Sequence, residues 1–75
     1  MDIKKFIAEF ANQFDETSPS EILETTKFHD LEEWSSLTAM SVLAMTKTEF
    51  GKTITGRELR QCETVKDVFN LIASK

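Results

Sequence analysis

The sequence predicts an all-α fold, namely a four-helix bundle with a long first connection and a short third helix. Three observations support this prediction. Apolar residues recur at helical spacing near both ends of the chain, and no segment shows sustained alternation of apolar and polar residues. The chain also has only 75 residues, with two Gly and one Pro, which argues against a turn-rich barrel or sandwich. We therefore expect a single domain that spans residues 1–75.

The first helix is predicted from the periodic segment at residues 2 to 14. A single apolar stripe contains Ile3, Phe6, Ile7, Phe10, Ala11 and Phe14. Asp2 is suited to cap this helix, because its carboxylate accepts from free N–H groups at the positive end of the helix dipole. We interpret the three Phe side chains as core rather than as a ligand site, since a first helix must bury its apolar stripe.

The long connection runs from Asp15 to Ser35 and loses the helical period. Pro19 breaks any helix there, and Ser20 precedes residues that favour a short turn. The segment holds seven acidic residues against one lysine, so its net charge is −6, while the whole chain carries −4. We expect a solvated acidic loop that is pinned to the core by Ile22, Leu23, Phe28 and Leu31.

Capping signals define the remaining helices. Ser35 is placed to cap a second helix over residues 36 to 50, which Gly51 ends. Thr55 to Glu58 is a capping box that opens a short third helix around Leu59. Thr64 caps a last helix in which Val65, Val68, Phe69 and Ile72 recur at helical spacing.

The apolar positions of the second helix fall in two arcs. The core arc contains Ala39, Val42, Leu43 and Phe50, with Thr46 between them. Leu37, Met40 and Ala44 form a second arc, rotated by about 130°. This second arc is either a face for docking a partner protein or a sign that the helix is central and packs on two sides. Ser36 lies at the helix entrance, closer to the second arc.

Composition excludes several classes of function. A net charge of −4 opposes nucleic acid as a partner, because phosphate binding needs clustered Lys and Arg. No apolar run is long enough for a membrane span, and the N-terminus lacks the apolar block of a signal peptide. The single Cys62 forms no intramolecular disulfide, and with the single His29 it does not supply a metal site. The chain therefore fits a reducing, cytoplasmic setting.

The run from Phe28 to Leu37, FHDLEEWSSL, resembles the attachment region of acyl and peptidyl carrier proteins. Those proteins place a Ser-Leu pair at the start of their second helix, a few residues after an Asp-Leu. The run Glu49-Phe50-Gly51 through Ile54, then Thr64-Val65 and Val68, is similar to the family's passage into its third and fourth helices. The resemblance covers essentially the whole chain in length, helix order and apolar spacing.

The resemblance implies that Ser36 accepts 4′-phosphopantetheine from coenzyme A, in a step catalysed by a separate magnesium-dependent phosphopantetheinyl transferase. The terminal thiol then holds an acyl or aminoacyl group as a thioester and presents it to loading and synthase enzymes of fatty acid, polyketide or nonribosomal peptide biosynthesis. The chain itself is then a monomeric carrier and not an enzyme. A helix N-terminus suits the phosphodiester anion, and a serine without an adjacent base is a poor nucleophile.

Several assignments depend on neighbouring residues of this run. Ser36 is preferred over Ser35 for attachment, because it directly precedes Leu37 and leaves Ser35 for the cap. Ser35 itself stands where the family typically has Asp, so a charge that such transferases commonly recognise is missing. The residues expected to dock partner enzymes are Ser35, Leu37, Met40, Ala44 and Trp34. Trp34 lines the path of the cargo, contacts the transferase or forms an aromatic lid on the core.

Alternatives from other classes of function remain at this point. The missing Asp and the second arc are also compatible with a carrier-like helical domain that is never modified and only binds other proteins. A hydrolase built on Ser36 and His29 is less favoured, since no nucleophile elbow surrounds the serine. Adjacent Glu32 and Glu33 do not converge on one site, and we expect no pocket around them.

Overall fold

The computed structural model describes residues 1–75 and contains four α-helices. They are α1 (Ile3–Ala11), α2 (Ser36–Phe50), α3 (Gly56–Gln61) and α4 (Val65–Ala73). The predicted all-helical fold, with a long first connection and a short third helix, is confirmed. The one β-type contact is an isolated bridge between Lys27 and Thr64. No helix combines the length and the hydrophobicity needed to cross a bilayer.

α1 is shorter than the periodic segment that predicts it. Asp2 caps its start by accepting from the Lys4 N–H, as expected. The helix ends at Ala11, and two tighter turn hydrogen bonds then carry the chain to Phe14. Phe14 is nevertheless only 7% exposed, because these turns keep it on the stripe that Phe6 and Phe10 begin. The apolar pattern therefore marks the buried face and overestimates the helix by one turn.

The starts of the other three helices agree with their predicted caps. The side chains of Ser35, Thr55 and Thr64 each accept from the backbone N–H group three residues later. Both threonines form full capping boxes, in which Glu58 and Asp67 accept in return from the cap residue's own N–H. Gly51 ends α2 in the left-handed conformation, with φ of 66°, where a Cβ would be strained.

The core lies where α1 packs against α2 and α4, and α3 also packs against α2. Its aromatic centre joins α1 to the long connection through Phe10, whose ring centroid is 5.6 Å from that of Phe28 and 6.4 Å from that of Trp34. The thirteen buried apolar residues are Phe6, Phe10, Ala11, Phe14, Ile22, Phe28, Val42, Met45, Ile54, Leu59, Val65, Val68 and Ile72.

The long connection contains two short 3-10 turns, Pro19–Glu21 and Phe28–Asp30. Ile22 and Phe28 are buried and pin the loop to the core as predicted, and Leu31 packs half-buried against it. Leu23 does not, since its side chain is 57% exposed. It follows directly on the buried Ile22 in an extended stretch of backbone, so its side chain points away from the core.

The core side of α2 differs in part from the predicted arc. Val42 and Thr46 are buried as expected, but Ala39, Leu43 and Phe50 are only half-buried. Thr38 and Met45 are buried instead. The two buried threonines satisfy their hydroxyls by donating to backbone carbonyls, Thr46 to Leu43 and Thr38 to Glu33. The second arc is uncovered, with Leu37 75% exposed, Met40 66% exposed and Ala44 exposed.

Candidate functional site

Ser36 is the first residue of α2, and its side chain is exposed to solvent. The preceding Ser35 has an extended backbone, with φ of −154° and ψ of 174°, which points its hydroxyl back at the helix. There it accepts from the Thr38 N–H at 3.3 Å and lies 3.3 Å from the Thr38 hydroxyl. The Ser36 hydroxyl has no hydrogen-bond partner in the protein. Of the two adjacent serines, one is engaged in the cap and the other is free.

The first turn of α2 offers unpaired donors next to that free hydroxyl. The N–H groups of Thr38 and Ala39 bond to Ser35, but those of Ser36 and Leu37 donate to no protein atom. No acidic side chain lies in the first turn. Free amides and the positive end of the helix dipole stabilise an anion such as a phosphodiester. This end of α2 therefore fits a phosphate group carried on Ser36.

An open groove of about 400 Å³ lies beside Ser36, between the long connection, α2 and α3. No carboxylate lines it, although the chain has 13 acidic residues. Its lining residues are His29, Trp34, Ser35, Ser36, Ala39, Met40, Leu43, Gly56, Leu59 and Arg60. Trp34 is both a groove wall and a half-buried cover on the core, with its ring stacked parallel to that of Phe10. Trp34 is thus the aromatic lid on the core that was one of its predicted roles, while contact with cargo or transferase stays a prediction.

His29 is held at one end of this groove by its own contacts. Its Nε2 lies 3.0 Å from the Cys62 carbonyl oxygen, which only accepts, so Nε2 carries the proton and donates. Its ring packs on Phe28 and Trp34, with centroids 4.4 and 5.5 Å away. No hydrogen bond joins His29 to Ser36. The pair therefore lacks the contact that activates a serine nucleophile.

Cys62 is half-buried beside the core, as the sequence predicts. Desolvation raises the pKa of its thiol, and the nearby carboxylates of Asp67 and Glu58 raise that pKa further. A thiol with a raised pKa is a poor nucleophile near neutral pH. Its contacts with the core and its raised thiol pKa both favour a packing role for Cys62.

A second cavity contradicts the expectation that nothing forms a pocket around Glu32 and Glu33. It is open, measures about 410 Å³ and is lined by Glu16, Thr17, Glu21, Leu31, Glu32 and Glu33. The expectation was wrong because sequence adjacency says nothing about the distant loop segment that folds over these residues. We call this space the acidic cavity.

The Glu33 carboxylate is engaged by the loop that forms the acidic cavity. It accepts from the N–H groups of Asp15, Glu16 and Thr17 and from the Thr17 hydroxyl, the last three at 2.8 to 2.9 Å. Partial desolvation acts to raise the pKa of Glu33, but the hydrogen bonds from Asp15, Thr17 and Glu16 outweigh it and hold that pKa below its ordinary 4.5. Glu33 is thus an ionised structural acceptor.

Sequence reasoning missed Arg60 as a residue of the site. Arg60 and Leu59 reach the groove from α3, across from Ser36 and Met40 on α2. No spacing within the sequence indicates this, because the contact depends on how α3 packs against α2. The only local signal is the capping box at Thr55, which fixes where α3 begins.

Comparison with family models matches the chain to the phosphopantetheine attachment site family over residues 2–72. Neither the comparison with curated proteins nor that with solved structures gave a significant match. Domains of the matched family are non-catalytic carriers with a covalently attached 4′-phosphopantetheine, and they work with transferase and synthase enzymes. The match spans nearly all of the four-helix bundle and includes the free serine at the start of α2. The chain therefore belongs to the phosphopantetheine-attachment family of acyl and peptidyl carrier proteins.

Proposed function

We propose that Ser36 is the attachment residue and that the chain is a single-domain, monomeric carrier of acyl or aminoacyl thioesters in the cytoplasm. The observation that carries this proposal is the free Ser36 hydroxyl beside two unpaired amides. Its Oγ would hold the phosphodiester, and the N–H groups of Ser36 and Leu37 would stabilise the anion. When bound, the group supplies a terminal thiol that carries the cargo. The chain's own contribution is to hold that arm at the end of a rigid helix.

We further propose that partner enzymes dock on the uncovered arc of α2, namely Leu37, Met40 and Ala44, together with Ser35 and Trp34 beside the arm. α2 carries only two charges, Lys47 and Glu49, so apolar contact dominates on this helix. The acidic connection supplies the long-range attraction and favours a partner with a basic rim around an apolar patch. These partners are the phosphopantetheinyl transferase and the loading and synthase enzymes of fatty acid, polyketide or nonribosomal peptide biosynthesis.

Intact mass after incubation with coenzyme A, magnesium and a broad-specificity transferase tests the attachment site. We expect wild type and Ser35→Ala to gain the mass of one phosphopantetheine and Ser36→Ala to gain none. Modified Ser36→Ala together with unmodified Ser35→Ala would move the site to Ser35. A wild-type chain that is never modified, in this assay or in its native host, would instead favour an unmodified protein-binding domain.

The same assay tests docking on the uncovered arc. Leu37→Ser is expected to raise the transferase KM for the carrier, because it removes the most exposed apolar side chain next to Ser36. Leu23→Ser is the matched control, since Leu23 is also exposed but lies outside the groove and outside α2. An equal KM for the two variants would contradict the docking proposal and leave the attachment site standing.

A further inference from the structure

Arg60 is a cation without a partner. The three ion pairs of the chain use Lys27, Lys66 and Lys75, and no hydrogen bond involves the Arg60 guanidinium. Its Nη1 lies 3.5 Å from where a Cβ on Gly56 would stand, so the side chain folds back along α3 by one turn. This places Arg60 in the lining of the same groove as Ser36.

The carboxylates nearest to Arg60 in sequence are already engaged. Glu58 accepts from the Thr55 N–H and pairs with Lys75 at 3.0 Å. Glu63 pairs with Lys27 at 3.3 Å. Because no carboxylate lines the groove either, the protein itself leaves the charge of Arg60 uncompensated in the groove that Ser36 also lines.

We infer that Arg60 pairs with the phosphodiester on Ser36 and thereby positions the arm along the groove between α2 and α3. This inference rests on the proposed attachment at Ser36. A guanidinium stays charged at all accessible pH values, and its planar fork matches two phosphate oxygens. Ser36 and Arg60 are both exposed, so such a pair would be a surface ion pair that salt screens.

The phosphate is a better partner for Arg60 than an anionic group on the cargo. It is tethered to the Ser36 Oγ in every loaded state, so its effective concentration at the groove is high whatever the cargo is. An anionic cargo would have to fold the whole arm back to reach the same side chain. The cargo-free loaded protein therefore distinguishes the two possible partners of Arg60, because the phosphate is then the only anionic group on the arm.

Cargo-free loaded protein is compared as wild type, Arg60→Gln, Arg60→Lys and Arg57→Gln. Arg57 is the matched control, since it is an exposed arginine of the same helix that does not line the groove. The readouts are the phosphorus-31 chemical shift of the phosphodiester and the anisotropy decay of a fluorophore on the arm thiol. Intact mass first establishes that each variant is loaded, and circular dichroism that it is folded.

We expect Arg60→Gln to shift the phosphorus resonance and to lower the ratio of docked to free arm by up to about fivefold, the upper end for an exposed ion pair. Arg60→Lys recovers part of this ratio and Arg57→Gln behaves as wild type. Raising salt from about 0.01 M to about 1 M moves wild type toward Arg60→Gln, because the screening length falls from about 30 Å to about 3 Å.

Two results would overturn the inference, and they are distinguishable. Loaded Arg60→Gln with the wild-type resonance and arm mobility would exclude pairing with the phosphate while leaving attachment at Ser36 intact. An effect of Arg60→Gln that appears only with an anionic cargo would assign Arg60 to the cargo. Failure of wild type to load would remove the attachment proposal itself, together with this inference.

Discussion

The acidic cavity and the groove beside Ser36 are nearly equal in volume, about 410 and 400 Å³, but opposite in chemistry. Four carboxylates and a single apolar side chain line the acidic cavity. Five apolar side chains, one imidazole and one guanidinium line parts of the groove, and no carboxylate does. Cavity size therefore does not identify the functional site of this chain. The placement of charge distinguishes the two cavities, because an anion is repelled from the first and accepted by the second.

The position of the Glu33 side chain explains why the negative charge of the acidic cavity does not extend into the groove. It lies only three residues before Ser36, so its charge would weaken anion binding there if the side chain faced α2. Instead, the loop amides of Asp15, Glu16 and Thr17 draw the carboxylate to the other side. The Glu33 charge is thus bound within the loop and does not line the groove beside Ser36.

Of the substitutions that test these two regions, Trp34→Ala is expected to have the largest effect on stability. Trp34 covers Phe10 and Phe28 in the core and also forms a wall of the groove, so its loss damages both the fold and the site. For a half-buried side chain we expect a loss of about 2–3 kcal/mol in the free energy of unfolding. Thermal unfolding followed by circular dichroism should show a Tm lower by roughly 10–20 °C.

Trp34→Phe is the control for the ring contacts, because it keeps an aromatic side chain against Phe10. We expect it to lose less than half as much stability as Trp34→Ala. Equal losses for the two variants would mean that the stacking on the core is not what the indole contributes.

Glu33→Gln is expected to have the next largest effect, confined to the acidic cavity. The neutral amide side chain accepts fewer hydrogen bonds than the carboxylate, so the amides of Asp15, Glu16 and Thr17 should exchange with solvent faster. Glu32→Gln is the matched control, since the Glu32 carboxylate has no hydrogen-bond partner. Unchanged exchange of these three amides in Glu33→Gln would contradict the anchoring role of Glu33.

Glu33→Gln is also expected to change how the stability of the protein depends on pH. The pKa of Glu33 is lower in the folded protein than its ordinary 4.5, so its contribution to stability is complete above that value and is lost as the pH falls through the folded-state pKa. Glu58 and Asp67 act in the same direction, because the N–H groups of Thr55 and Thr64 chiefly lower their pKa values. Denaturant unfolding below pH 4.5 should therefore show a smaller acid loss for Glu33→Gln than for wild type.

The helix starts could be predicted from the sequence because a cap is a local interaction over three residues. Ser35, Thr55 and Thr64 each occupy the predicted cap, and the free hydroxyl of Ser36 follows from the first of them. The burial of Thr38 and the exposure of Leu23 could not be predicted from the apolar spacing. Thr38 is buried with its hydroxyl bonded to the Glu33 carbonyl, and Leu23 points away because the backbone at Ile22 is extended.

Likewise, the charge pattern around the site depends on tertiary contacts. The sequence shows an acidic connection that runs up to Ser36, the proposed attachment residue, which suggests negatively charged surroundings for this serine. In the fold, the surroundings of Ser36 are not negative, because the Glu33 carboxylate bonds to Thr17 and Arg60 of α3 lines the groove. Binding of Glu33 by amides 18 to 16 residues away has no signature in local spacing.

Ser35→Asp has the smallest expected effect on folding and sharpens the comparison most directly, because it introduces a carboxylate into the groove lining. Aspartate caps a helix as well as serine does and adds a favourable interaction with the helix dipole, so we expect stability to change by no more than about 1 kcal/mol. Carrier proteins typically have Asp here, and we therefore expect faster loading by the transferase. Ser35→Asn is the control, since it keeps the cap without the charge.

In the loaded form, the new carboxylate of Ser35→Asp should repel the phosphodiester on Ser36 and compete for Arg60. We therefore expect a freer arm, with the phosphorus resonance shifted in the same direction as in Arg60→Gln, while Ser35→Asn stays like wild type. Loading at an unchanged or lower rate would contradict the role of the charge in recognition by the transferase. Faster loading together with a more mobile arm in Ser35→Asp would show that Ser35 slows modification but keeps negative charge away from the phosphodiester.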